Sequence, residues 1–157
     1  MVASILSIPF TDTDTEIESK ANRSIANIFA ESGESGFRVL ESEHLQQLHQ
    51  LSTPHVIALG GGAILSLPNR ECIRKLGLTV WLQAEPETIF GRIAGDETTR
   101  LRRPKLSQLG DLEEIRAKLV ERWDRYNEVA GLTISTEGAS MRRIAEKIAA
   151  WYALNSK

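Results

Sequence analysis

The chain has 157 residues, 41% hydrophobic and 25% charged, enough for one domain with its own core and too apolar for wholesale disorder. Nineteen basic against twenty-one acidic residues leave a net charge of −2, which excludes a molecule-wide basic footprint for nucleic acid. The single cysteine, Cys72, excludes an internal disulfide, and no apolar run reaches the ~20 residues of a membrane helix. The first ten residues lack the basic and long apolar regions of a signal peptide, so a cytoplasmic protein with no membrane or nucleic-acid partner is expected.

Asp12 and Asp14 flank Thr13 near the start. In extended chain, residues i and i+2 share a side, so the two carboxylates would converge. Such a pair suits Mg²⁺ or proton acceptance, and equally suits the start of a helix. Ser24 is placed to cap a turn carrying Ile25, Ile28 and Phe29 that ends near Gly33. Phe37, Leu40, Leu45 and Leu48 then predict a helix over 34–50. Arg38 lies on it, with Glu41 three residues on, and reads either as a carboxylate or phosphate clamp or as a solvated side chain.

The apolar stretch His55–Leu59 predicts a buried strand, and Gly60-Gly61-Gly62 follows it directly. Without Cβ atoms such a run admits a ligand close to the backbone, or simply turns the chain into the next helix. Leu78–Leu82 predicts a second strand, and Pro86 opens a helix carrying Ile89 and Phe90. Residues 95–110, basic and poor in apolar side chains, read as a lid, a binding loop or a solvated insertion. Asp111 and Glu114 resemble a capping box opening a long helix with Arg122, Trp123 and Tyr126. A third strand over 132–135 and a helix after Ser140 complete the chain. His44, His49 and His55 have no metal-ligand spacing and read as structural or surface residues. Trp81 reads as core, and Trp123 and Trp151 as helix packing. Strands alternating with helices give an α/β class with a parallel sheet.

Taken in order, Phe10-Thr11-Asp12-Thr13-Asp14, Ser24–Phe29, Gly33-Glu34-Ser35-Gly36-Phe37-Arg38-Val39-Leu40-Glu41, Gly60-Gly61-Gly62-Ala63 and Arg103-Pro104 resemble the shikimate kinase family over nearly the whole chain. The resemblance implies an adenylate-kinase-like P-loop kinase fold, a parallel sheet with helices on both faces. It also implies transfer of the γ-phosphoryl of ATP to the 3-hydroxyl of shikimate, in aromatic amino acid biosynthesis. It divides a single domain, 1–157, into a substrate-binding part at about 12–62, a lid at about 95–110 and C-terminal helices at about 111–154. By the same resemblance Asp14 binds the shikimate hydroxyl and acts as base, and Asp12 stands near Mg²⁺. Arg38 and Arg122 hold the shikimate carboxylate, and Gly60, Gly61 and Gly62 line the substrate. Arg103 reaches the phosphates and substrate from the lid, and Arg92 lies against adenine. ATP and Mg²⁺ are the implied cofactors, shikimate and ATP the implied partners, and a monomer the implied state.

The departures are specific. The family's Arg-x-Pro-x-Tyr is Arg122-Trp123-Asp124-Arg125-Tyr126 here, and its lid Arg-Pro-Leu-Leu is Arg103-Pro104-Lys105-Leu106. The family's first strand and P-loop, G-x-x-x-x-G-K-S/T, have no counterpart in these residues, where no lysine follows a glycine. Met1 is therefore expected to correspond to an internal position of a family member, with Ile5–Phe10 as the end of a helix running into the second strand. Two other readings remain open at this stage: a catalytically inactive shikimate-binding remnant or regulator, and another sugar-acid kinase of the gluconate kinase kind.

Overall fold

A computed structural model describes residues 1–95 and 111–156, with helix α6 described by its backbone alone at Asp111. The order is α1 (Val2–Leu6), β1 (Phe10–Asp12), α2 (Thr13–Ala21), α3 (Ile25–Leu48), β2 (Val56–Ala58), α4 (Leu67–Leu76), β3 (Val80–Gln83), α5 (Pro86–Ala94), α6 (Asp111–Val129), β4 (Leu132–Ser135) and α7 (Met141–Asn155). The alternation anticipated from the sequence is present. Ser24 and Ser140 cap α3 and α7, accepting from the Asn27 and Arg143 amides. Pro86 occupies the first turn of α5, where its missing N–H costs nothing. The predicted stop at Gly33 is a break inside α3, where that residue adopts φ 66° and ψ −175°. The backbone then turns helical again and carries Phe37, Glu41, His44, Leu45 and Leu48 inward.

Both β1–β2 and β3–β4 are parallel pairs. Among the described residues no ladder joins the pairs, so the single sheet implied by the family appears as two halves. Register positions the functional residues. Asp12 lies opposite Ala58, so both chains leave the sheet at the same carboxyl-end edge. Thr13 Oγ1 donates to the Ala58 carbonyl at 3.1 Å and locks the start of α2 to the exit of β2. Asp14 is thereby brought beside Gly60, at the strand ends where α/β sheets bind ligands.

Two apolar clusters hold this edge. Ile17, Ile25, Ile28 and Phe37 join α2 to both parts of α3. Leu45, Leu48, Ala63, Ile64, Ile73 and Val129 join α3, the glycine turn, α4 and α6. Arg70 and Arg74 both pair with Glu128, and Arg70 Nη1 also donates to the carbonyls of Ile64 and Leu65. The turn after β2 is thus fastened to both flanking helices. Trp81 departs from the core expectation: it is half-buried, stacked on Tyr126 and met edge-on by Trp123, which is 45% exposed. No helix among the described residues is long and apolar enough to cross a membrane.

Candidate active site

The three consecutive glycines each face a different polar group. A Cβ on Gly60 would lie 3.1 Å from Asp14 Oδ1 and 3.3 Å from Glu41 Oε1. One on Gly61 would lie 3.1 Å from the Tyr126 hydroxyl and 3.9 Å from Arg122 Nη1. One on Gly62 would overlap Nη1, Nη2 and Cζ of Arg38. The run is therefore more than a turn. It is the floor against which two carboxylates, two arginines and a tyrosine are packed, and backbone this bare is what lets them approach.

Arg38 is gripped from two sides. Nη1 donates to Glu41 Oε2 at 2.9 Å, and Nε and Nη2 share Glu34 Oε1 at 3.2 and 3.0 Å. Glu41 is only 2% exposed, and among the described residues its buried Oε1 has no hydrogen-bond partner. Burial pushes the Glu41 carboxyl above its usual range while Arg38 pulls against that; the Asp14 charge adds to the rise and Arg122 opposes it. Arg122 donates to the Gly61 carbonyl through Nη1 at 3.2 Å, and its buried Nε has no partner among the described residues. Beside the glycine floor, the buried acceptor Glu41 Oε1 and the buried donor Arg122 Nε are unsatisfied among the described residues.

The two early aspartates do not converge in the way extended chain requires. Asp12 ends β1 with φ −105° and ψ 117°, and the chain turns helical at Thr13. Asp12 Oδ1 accepts from the Thr15 amide at 3.0 Å as the N-cap of α2, while Asp14 lies in the first turn and points to Gly60. The helix-start reading holds for Asp12, which caps α2, while Asp14 lies beside Gly60. Among the described residues no group of three metal-ligating side chains occurs. A single carboxylate with one oxygen left by the cap still suits Mg²⁺, which is commonly held by one or two carboxylates plus nucleotide phosphates.

Arg92 on α5 donates through Nη1 to Thr136 Oγ1 at 2.9 Å and through Nη2 to the Thr136 carbonyl at 3.3 Å. It is held near the exit of β4. Arg103 and the lid expected at 95–110 lie outside the described residues beyond Gly95. Glu34, Glu41 and Tyr126 were not singled out as site residues from the sequence. Glu41 had a signal in its position three residues after Arg38, and Tyr126 in its position four residues after Arg122.

Behind the site, α2 is tied to α3 by Lys20, which donates to Gln47 Oε1 at 2.7 Å and to His44 Nδ1 at 3.0 Å. An ammonium only donates, so His44 is neutral here with its proton on the buried, unpartnered Nε2. Burial lowers the His44 pKa from 6.5, the Lys20 charge lowers it further, and Glu16 opposes the shift. As pH falls below 6.5 the unfolded chain takes up this proton before the folded one, so stability declines with acidification. Thermal unfolding is expected to shift to lower temperature from pH 7.5 to 5.5, and His44→Gln, which keeps a neutral acceptor, is expected to flatten that slope.

Comparison with known proteins points to one family. A family model described as shikimate kinase matches residues 1–153. The shikimate kinase of Rhodopirellula baltica is 40% identical over 148 residues, covering 94% of this chain and 79% of the relative. A solved shikimate kinase from Acinetobacter baumannii, in complex with shikimate, superposes with a TM-score of 0.88 at 35% identity, over 98% of this chain and 83% of that one. The shikimate kinase of Bacteroides thetaiotaomicron gives 0.82 at 29% identity, over 98% and 86%.

Proposed function

The chain belongs to the shikimate kinase family, and from that premise we propose that its glycine floor binds shikimate and directs its 3-hydroxyl to the γ-phosphoryl of ATP. ATP is the phosphoryl donor of the family. The observation that carries the site reading is the meeting of Asp14, Arg38, Arg122 and Gly60–Gly62 at one sheet edge, with orphan polar atoms on Glu41 and Arg122.

Phosphoryl transfer asks little covalent chemistry of the protein; position and charge dominate. Arg38 and Arg122 present guanidinium forks to the substrate carboxylate. This anchors one side of the ring and sets a hydroxyl against Asp14, whose carboxylate accepts the proton as the oxygen attacks. Gly60 and Glu41 close the floor beneath that hydroxyl. Arg92 lies in the nucleotide half, and Arg103 is assigned to the transferring phosphate. Mg²⁺, when bound, neutralises charge on the phosphates, and Asp12 is the carboxylate we place beside it. We also propose that residues 1–157 act as a single domain with a substrate part at 12–62.

The test is ADP formation that depends on shikimate, with gluconate as the competing acceptor. Turnover on shikimate alone is expected. Saturable shikimate binding without ADP would favour the binding-remnant reading, and turnover on gluconate the other kinase reading. Asp14→Asn is expected to lower turnover about 10²- to 10⁴-fold, the usual worth of a general base. Shikimate affinity in that variant should change far less, as read by calorimetry.

A further inference from the structure

The Gly61 carbonyl is claimed twice. Tyr126 donates its hydroxyl to that oxygen at 2.8 Å, and Arg122 Nη1 reaches the same oxygen at 3.2 Å. The two donors sit one turn apart on α6, so they face the same way. Tyr126 is braced from behind: its ring stacks on Trp81 with centroids 5.1 Å apart and planes 21° from parallel. Trp81 in turn is held by Trp123 at 4.9 Å in an edge-on contact. A rigid aromatic stack on β3 and α6 therefore ends in one hydroxyl aimed at one backbone oxygen of the substrate floor.

We propose that Tyr126 is a positioning residue that keeps the Gly61 carbonyl satisfied, so that Arg122 can leave it for the substrate carboxylate without loosening the glycine turn. This deepens the shikimate reading and rests on it. A carbonyl abandoned by its only donor would cost part of what the arginine gains. With Tyr126 in place, the shorter of the two bonds stays and the longer one is spent. The peptide plane between Gly61 and Gly62 is then fixed throughout binding, because a planar trans peptide sets the Gly62 N–H opposite the held carbonyl. Arg38 packs directly on Gly62, so a rotation of that plane would disturb the second arginine as well.

The experiment is shikimate titration calorimetry on the purified protein, its Tyr126→Phe variant, its Arg122→Ala variant and the double variant. Phenylalanine keeps the stack on Trp81 and removes only the hydroxyl. Shikimate affinity is expected to fall about 3- to 10-fold in Tyr126→Phe, the worth of one hydrogen bond, with a melting temperature within about 2 °C of the parent. In the Arg122→Ala background the same change is expected to have less than half that effect, since no arginine then leaves the carbonyl. Unchanged affinity in Tyr126→Phe overturns the proposal while leaving the shikimate reading intact. Equal effects in both backgrounds, or a loss of affinity matched by a large drop in melting temperature, also overturn it. Absence of shikimate binding in the parent protein overturns the underlying reading instead.

Discussion

Arg38→Leu is expected to destabilise the protein by about 3–5 kcal/mol, the cost of stranding a buried carboxylate by removing its partner. Glu41 is 2% exposed and already carries one oxygen without a partner. Among the described residues Arg38 is the only cation hydrogen-bonded to it. Without that cation the Glu41 carboxyl rises further above its unfolded value of 4.5. The folded state then holds a proton the unfolded state has lost, so stability is greatest in acid and falls as pH rises through the folded value. Urea titrations at pH 5 and pH 8 should show a larger deficit at pH 8. Replacing both residues, Arg38→Leu with Glu41→Leu, should recover most of the stability, because a buried pair exchanged for apolar groups of similar volume is often neutral or better. Shikimate binding should stay weakened by at least about 100-fold in both variants, given about 1.5–3 kcal/mol for each charge-assisted bond. Recovered stability with recovered binding would remove Arg38 from the site.

That experiment separates two roles that the sequence merges. The spacing of Arg38 and Glu41 is local, three residues on one helix, so their pairing was readable from the chain. Which of them is buried was not, because burial depends on Gly60, Gly62 and Asp14, which arrive from other elements. The same division runs through the fold. Ser24, Ser140, Pro86 and Gly33 act within one turn of their own position, and each does what its residue type dictates. The convergence of Asp12 and Asp14 failed as a prediction because an aspartate before a helix has a competing use, the Thr15 amide three residues on. Trp81 was misplaced in the core for a tertiary reason: strand periodicity locates its backbone and says nothing of the Tyr126 ring it supports. Tyr126 itself acts on a carbonyl 65 residues away. Contacts of that separation are fixed by the parallel β1–β2 pair and the packing of α4 and α6, neither of which has a local signature. The order of the family motifs pointed to Asp14, Arg38, Gly60–Gly62 and Arg122, which the structure brings together, and did not point to Tyr126.

Among the three glycines, Gly62 should tolerate substitution least, and the loss should be of binding more than of folding. Alanine at Gly62 would drive its methyl into the Arg38 guanidinium. The obstacle is the far end of a flexible side chain, so the backbone survives and the fork swings away. We expect about 1–3 kcal/mol of lost stability, the usual cost of overpacking, and at least a tenfold loss of shikimate affinity. Gly60→Ala and Gly61→Ala meet their neighbours at 3.1 Å or more, a misfit of a few tenths of an ångström, and should cost less. The background of the test decides what Gly62 is for. Lysine lacks the planar fork, so in an Arg38→Lys protein the methyl has far less to displace. Gly62→Ala should then add little to the binding defect that Arg38→Lys causes alone, a strongly non-additive cycle. Additive losses would mean that Gly62 serves the turn rather than the arginine. Non-additive losses would make the third glycine the seat of the carboxylate clamp, kept bare so that a buried carboxylate beneath and an exposed one beside can hold the guanidinium flat against it.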